Sequence, residues 1–220
     1  MKRLQSLVAL MIIAVFFFSG CAVVIQKGRR TDIERIKDLE REVDRLKAAR
    51  GALEDKLSRE IEDEQVSLSM GEKGLTITFL AEVLFDSGKD VLKSNSLPIL
   101  NKVTQILKAE VPDNDIAIEG HTDNEPIKHS GWKSNWELSV HRALSVLYYL
   151  EEEGVDSRKL SAVGYGQYRP VVSNEDAKGR QKNRRVEIII LSNGRSGLET
   201  NDLTQEPVDS ESLDEEEGYK

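Results

Sequence analysis

Ile116-Ala117-Ile118-Glu119-Gly120-His121-Thr122-Asp123 runs from an apolar strand pattern into a polar loop, and Ser134-Asn135-Trp136-Glu137-Leu138-Ser139 with Arg142 follows at the start of a helix. Between the two segments the hydrophobic period changes from two to about 3.6. Trp136, Val140, Ala143, Leu144, Leu147 and Leu150 then share one helical face over about 135–153, and Gly154 ends the helix. That face is wide enough to lie on a sheet, and the wheel puts Arg142 on its opposite side, close to Leu138. A carboxylate at the tip of a strand and a guanidinium on the next helix can face each other across one shallow site. The pair suits a zwitterion, because Arg forks onto a carboxylate and Asp accepts hydrogen bonds from an ammonium. Taken singly, Asp123 also reads as a turn-capping carboxylate and Arg142 as an exposed helical arginine.

Upstream, Val66, Leu68 and Met70 alternate with polar residues, as do Leu75, Ile77 and Phe79, with Gly71-Glu72-Lys73-Gly74 between them. This predicts a hairpin. Val83-Leu84-Phe85 runs into the turn signal Asp86-Ser87-Gly88. Ser96 offers an N-cap with Pro98 in the first turn, and Leu97, Leu100, Val103 and Leu107 form a helical stripe. Downstream come a strand over 160–164, a loop over 165–183 and a last strand over 186–191. The order β-α-β-α-β-β implies an α+β fold, a two-layer sandwich with helices on one face of a mixed sheet, over 66–193.

Six short motifs stand in order along this region: Gly74-Leu75-Thr76-Ile77, Leu84-Phe85-Asp86-Ser87-Gly88, Gly120-His121-Thr122-Asp123-Asn124, Asn135-Trp136-Glu137-Leu138-Ser139 with Arg142-Ala143, Gly164-Tyr165-Gly166 with Arg169-Pro170, and Asn183-Arg184-Arg185-Val186-Glu187. Together they resemble the OmpA-like peptidoglycan-binding domain, in the form found at the C-terminus of the flagellar stator protein MotB. The resemblance implies non-covalent binding of the diaminopimelate residue of the peptidoglycan stem peptide. It assigns the ligand's ammonium to Asp123 and its carboxylate to Arg142. Thr122, Asn135, Leu138 and Ser139 would line the same groove. Asp86 and Arg184 carry over less directly, since they also suit a role in holding loops.

Before the domain, Lys2 and Arg3 precede an apolar run from Leu7 to Phe18, and Ser19-Gly20-Cys21 follows. This pattern fits an export signal over 1–20. Extended through Ile25, the run also approaches the roughly 20 residues that span a bilayer. Phe18-Ser19-Gly20-Cys21 resembles a bacterial lipobox, which implies acylation of Cys21. Ala22 in place of Asp implies sorting to the outer membrane, with the domain facing the periplasm. Ile36, Leu39, Val43, Leu46, Leu53 and Leu57 recur at threes and fours within a polar stretch, so 21–65 reads as a lipidated N-terminus with a helical tether. Its 33–61 portion reads equally as a short coiled coil joining copies or as a solitary helix packed on something else. A spacer up to ~80 Å long follows if all of it stays free of the domain.

The formal charge is −8, and residues 194–220 hold nine acidic and two basic side chains, so the tail alone supplies −7. The rest is nearly neutral, which excludes nucleic-acid binding through bulk positive charge. The tail lacks apolar periodicity and reads as disordered. No nucleophile elbow, phosphate loop or catalytic triad is present, and no cofactor is implied. The three histidines, His121, His129 and His141, lack metal-ligand spacing, so His121 reads as a structural hydrogen-bonder and no metal is expected. An enzyme is therefore not expected. Trp136 reads as core, and Trp132 as a loop residue able to meet a sugar. The alternative to an envelope anchor is a MotB-like stator subunit with an N-terminal membrane helix, but Cys21 is the sole ionisable residue between Ser6 and Val24.

Overall fold

The computed structural model describes residues 32–128 and 131–192. The export signal, Cys21, His129 and the acidic tail lie outside the described residues. Among those described, no helix is long and apolar enough to cross a membrane.

Five strands form one mixed sheet in the order β1-β2-β5-β3-β4. β1 (Val66–Gly71) and β2 (Gly74–Leu80) make the expected hairpin, with Gly71 opposite Gly74. β2 pairs antiparallel with β5 (Arg185–Leu191), and β5 antiparallel with β3 (Ile116–His121). β3 and β4 (Leu160–Gly164) are parallel. A parallel pair needs a crossover, and α5 (Asn135–Glu152) supplies it. Alternation along the central strands sends Leu75, Ile77, Phe79, Ile116, Ile118, Val186, Ile188 and Ile190 to one face. There they join Leu100, Val103 and Leu107 of α4 (Leu97–Glu110) and Ala143, Val146 and Leu150 of α5. The α+β sandwich is therefore as the alternation and the two stripes require.

The details differ at three places. The loop over 165–183 contains a helix, α6 (Ala177–Asn183), capped by Asp176, whose carboxylate accepts from Gly179 N–H at 2.6 Å. Val83 and Leu84, given no element by the sequence reading, close a single helical turn, α3 (Ala81–Leu84). Ser96 stands at the N-cap of α4, but its hydroxyl donates to the Lys93 carbonyl at 2.7 Å and caps no amide.

The largest departure concerns the tether. The helix α1 over 32–56, continued by α2 (Ser58–Glu62), lays its second half on the domain. Leu46, Ala49, Leu53 and Leu57 are buried in the same core as the sheet, while Ile36, Leu39 and Val43 remain exposed. Glu42 marks the changeover: its Oε1 accepts from Asn114 Nδ2 at 2.5 Å, and Asn114 also donates to the Leu191 carbonyl at 2.8 Å. The apolar seam is thus covered by this chain's own sheet and helices from residue 46 onward, and the freestanding portion is shorter than its periodicity suggests.

Candidate functional site

The loop after β3, the first turns of α5, the Phe85–Lys89 turn and the start of β5 enclose a groove of about 700 Å³. Asp86, Thr122, Asp123, Asn135, Leu138, Arg142 and Arg184 all line it. Two glycines set its depth. A Cβ on Gly120 would lie 2.0 Å from the Ser139 carbonyl, and one on Gly164 2.4 Å from Val140 Cγ2. These glycines are register partners on β3 and β4, so they form a flat seat on which Ser139 and Val140 rest. The seat fixes the rotation of α5. Its buried residues are Asn135, Leu138, Ser139, Arg142, Ala143, Val146 and Leu150.

That rotation overturns two expectations from the wheel. Arg142 is on the buried side, 4% exposed, and Trp136 is 47% exposed, stacked on Tyr168 with ring centroids 5.1 Å apart. Arg142 Nε donates to the Lys89 carbonyl at 2.9 Å, Nη2 to the Asp86 carbonyl at 3.4 Å, and the guanidinium lies 5.2 Å from the Phe85 ring centroid. Burial, reinforced by Arg184, pushes Arg142 down to about 10, with Asp123 and Asp90 pulling the other way. It therefore stays charged at neutral pH.

Asp123 is 5% exposed and does not pair with Arg142. Its Oδ2 accepts from Arg184 Nη1 at 2.6 Å and its Oδ1 from Glu125 N–H at 3.1 Å. A carboxylate has about four acceptor positions, so roughly two remain for a ligand. Asn135 Nδ2 ties the loop together, lying 3.0 Å from the Glu125 carbonyl, 3.3 Å from that of Asp123 and 2.9 Å from Gln167 Oε1. Thr122 Oγ1 donates to the Asp123 carbonyl at 2.9 Å. Ser139 sits behind the groove, fully buried, accepting from Gly166 N–H at 2.9 Å and donating to the Trp136 carbonyl at 2.8 Å. Asp86 contributes its carbonyl to Arg142, while its carboxylate meets Lys89 at 3.0 Å near solvent.

The groove therefore presents the guanidinium groups of Arg142 and Arg184 and the partly satisfied carboxylate of Asp123 over an apolar floor that includes Leu138. Phe85 and the Lys89 carbonyl, which orient Arg142, are contributions that periodicity does not single out. Trp132 is not among the lining residues: its Nε1 donates to the carbonyl of Gly88, which does line the groove, at 2.8 Å, and its ring lies 4.7 Å from that of His141.

Residues 84–184 match the OmpA family. The chain carries an OmpA-family domain. Over 141 residues it is 44% identical to Motility protein B of Bacillus subtilis (strain 168), a match covering 64% of this chain and 53% of that protein. It is 33% identical over 137 residues to the protein named "Probable lipoprotein YiaD" of Escherichia coli (strain K12), covering 62% and 60% of the two chains. The solved structure of the cell wall anchor of the T6SS from Pseudomonas aeruginosa superposes with a TM-score of 0.59 at 29% identity. That match covers 64% of this chain and 96% of the anchor. The chain spans about half the length of the first curated relatives it matches. Of the residues lining the groove, all but Ala81 and Glu82 fall within the OmpA-family region.

Proposed function

We propose that the OmpA-family domain binds peptidoglycan non-covalently through the diaminopimelate residue of its stem peptide, and that acylated Cys21 fastens it to the outer membrane. The observation that carries this reading is the convergence of Arg142, Arg184 and Asp123 on one groove. An amino-acid zwitterion is complementary to that set. Its carboxylate meets the two guanidinium groups, and its ammonium takes the open acceptor positions of Asp123. The likeness to a cell wall anchor and to a probable lipoprotein supports both halves of the proposal. Fastening to a membrane confines the domain beside its polymer, so one weak site suffices.

Co-sedimentation with purified sacculi tests the site. Asp123→Ala and Arg142→Ala are each expected to lower retention about tenfold or more, as befits a lost charge-assisted contact. Retention equal to wild type in both variants, with the fold intact by circular dichroism, refutes the assignment. Radioactive palmitate labelling of wild type against Cys21→Ser tests the anchor, and density separation of inner from outer membranes tests its location. The identity to Motility protein B favours a second reading, a stator subunit with a membrane helix in place of the lipid. Absence of label together with inner-membrane recovery selects it.

A further inference from the structure

On the sheet face turned away from α4 and α5, Glu119 and His121 of β3 lie beside Glu187 of β5. Glu119 and Glu187 are direct cross-strand partners, a position in which like charges repel. Their side chains are nevertheless only 8% and 16% exposed. One oxygen of each is held by a cation: Lys73 Nζ lies 2.7 Å from Glu119 Oε1, and Arg185 Nε 2.6 Å from Glu187 Oε1. His121 stands between them, 2% exposed, and neither of its ring nitrogens has a hydrogen-bond partner among the described residues. The structural hydrogen-bonder expected from the sequence is thus a buried imidazole whose polar atoms are left over, an arrangement that costs the desolvation of both nitrogens. Its Nε2 points into the carboxylate pair, 4.0 Å from Glu119 Oε2 and 3.9 Å from Glu187 Oε1.

We propose that Glu119, His121 and Glu187 form a binding site for a divalent transition-metal cation of the zinc class, which braces β3 against β5. One donor atom from each residue lies within 4.8 Å of the others. Zinc bonds of about 2.0–2.2 Å place tetrahedral ligands roughly 3.4 Å apart, so the two His121–carboxylate edges must close by about half an ångström and the carboxylate–carboxylate edge by no more than about 1.4 Å. Rotation of two glutamate side chains supplies that movement. One imidazole with two carboxylates, and no thiolate, suits Zn²⁺ better than Ca²⁺ or Mg²⁺, which take oxygen alone.

The position gives the ion a mechanical role. His121 precedes Thr122 and Asp123, and Arg185 follows Arg184, so a cross-link here fixes the strand ends that carry the Asp123–Arg184 pair. Lys73 and Arg185 compete with a bound cation for the carboxylates, and of the two only Lys73 is well exposed, at 43%.

The full chain, stripped with a chelator, is titrated with Zn²⁺ by calorimetry and with Co²⁺ by visible absorption. The expected result is uptake of one ion per chain at this site, with the cobalt bands of a four- or five-coordinate centre. Binding should weaken about tenfold or more in His121→Ala and in Glu187→Gln. Lys73→Met removes an exposed competitor without touching the core and should tighten binding severalfold, an effect no purely structural role for the trio produces. Failure of wild type to take up either ion overturns the proposal. So does uptake unchanged in folded His121→Ala, or unaltered affinity in Lys73→Met.

Discussion

At the scale of single residues, the contacts of Arg142 give the proposed site a use for its type and not only its charge. A planar guanidinium donates to the carbonyls of Lys89 and Asp86 while lying on the Phe85 ring, and it still has donors left to offer a ligand. Lysine at this position has the charge but cannot make the fork. Arg142→Lys is therefore expected to bind sacculi nearly as poorly as Arg142→Ala, about tenfold or more below wild type, in the co-sedimentation assay. The identities of Asp123 and Arg142 could be read from the order of the motifs. Their geometry could not. The wheel built on Trp136, Val140 and Leu147 turns Arg142 outward, because it weighs side-chain polarity and knows nothing of the surface beneath. Gly120 and Gly164, 44 positions apart, build that surface, and their close approach to Ser139 and Val140 rotates the helix. The pairing of Asp123 with Arg184 is hidden for the same reason, since the two are 61 residues apart and meet only when β3 and β5 are neighbours.

At the scale of elements, the apolar seam of α1 divides where Glu42 meets Asn114. Periodicity reports that a face is apolar and is silent about what covers it, so Leu39 and Leu53 look alike in the sequence. In the fold Leu53 is fully buried and Leu39 is 45% exposed. Leu53→Ala is expected to lower stability by about 2–5 kcal/mol, the cost of a core truncation. Leu39→Ala should stay within about 0.5 kcal/mol of wild type. Urea unfolding followed by circular dichroism separates the two. The short continuation α2 is fastened to α4 by Lys102 Nζ on Glu60 Oε1 at 2.8 Å. Burial pushes the Glu60 carboxyl up, but the hydrogen bond from Lys102, a backbone hydrogen bond and the charges of Lys102 and Arg59 together outweigh it and hold it below the usual glutamate value. A carboxylate with a lowered folded pKa contributes stability above its unfolded value and loses it as pH falls through the folded one. Lys102→Met should thus be less stable than wild type at pH 7, by under about 1 kcal/mol because Lys102 is 39% exposed. The difference should close as the solution is acidified through the lowered Glu60 value, which thermal melts at stepped pH would reveal.

At the scale of the whole molecule, tether and groove occupy opposite ends of β3. Glu42 bonds to Asn114 just before the strand begins, whereas Asp123 follows just after it ends. A six-residue strand is about 20 Å long, so a chain fastened by its N-terminus presents the groove on the side away from its anchor. The helix over 32–41, ahead of the Glu42–Asn114 contact, leaves about 15 Å of helix clear of the domain. The helical part of the proposed spacer is therefore shorter than its full periodicity allows. The foldable unit extends upstream in compensation. A chain beginning at residue 42 keeps Leu46, Ala49, Leu53 and Leu57 on the core and should melt within a few degrees of the full chain. One beginning at residue 66, where the sequence alone puts the domain boundary, loses all four from the core. It is expected to melt well below the longer form or to aggregate, as the loss of several buried leucines at about 2–5 kcal/mol each requires. Equal melting temperatures for the two truncations, measured side by side by scanning calorimetry, would return the whole of α1 to the spacer.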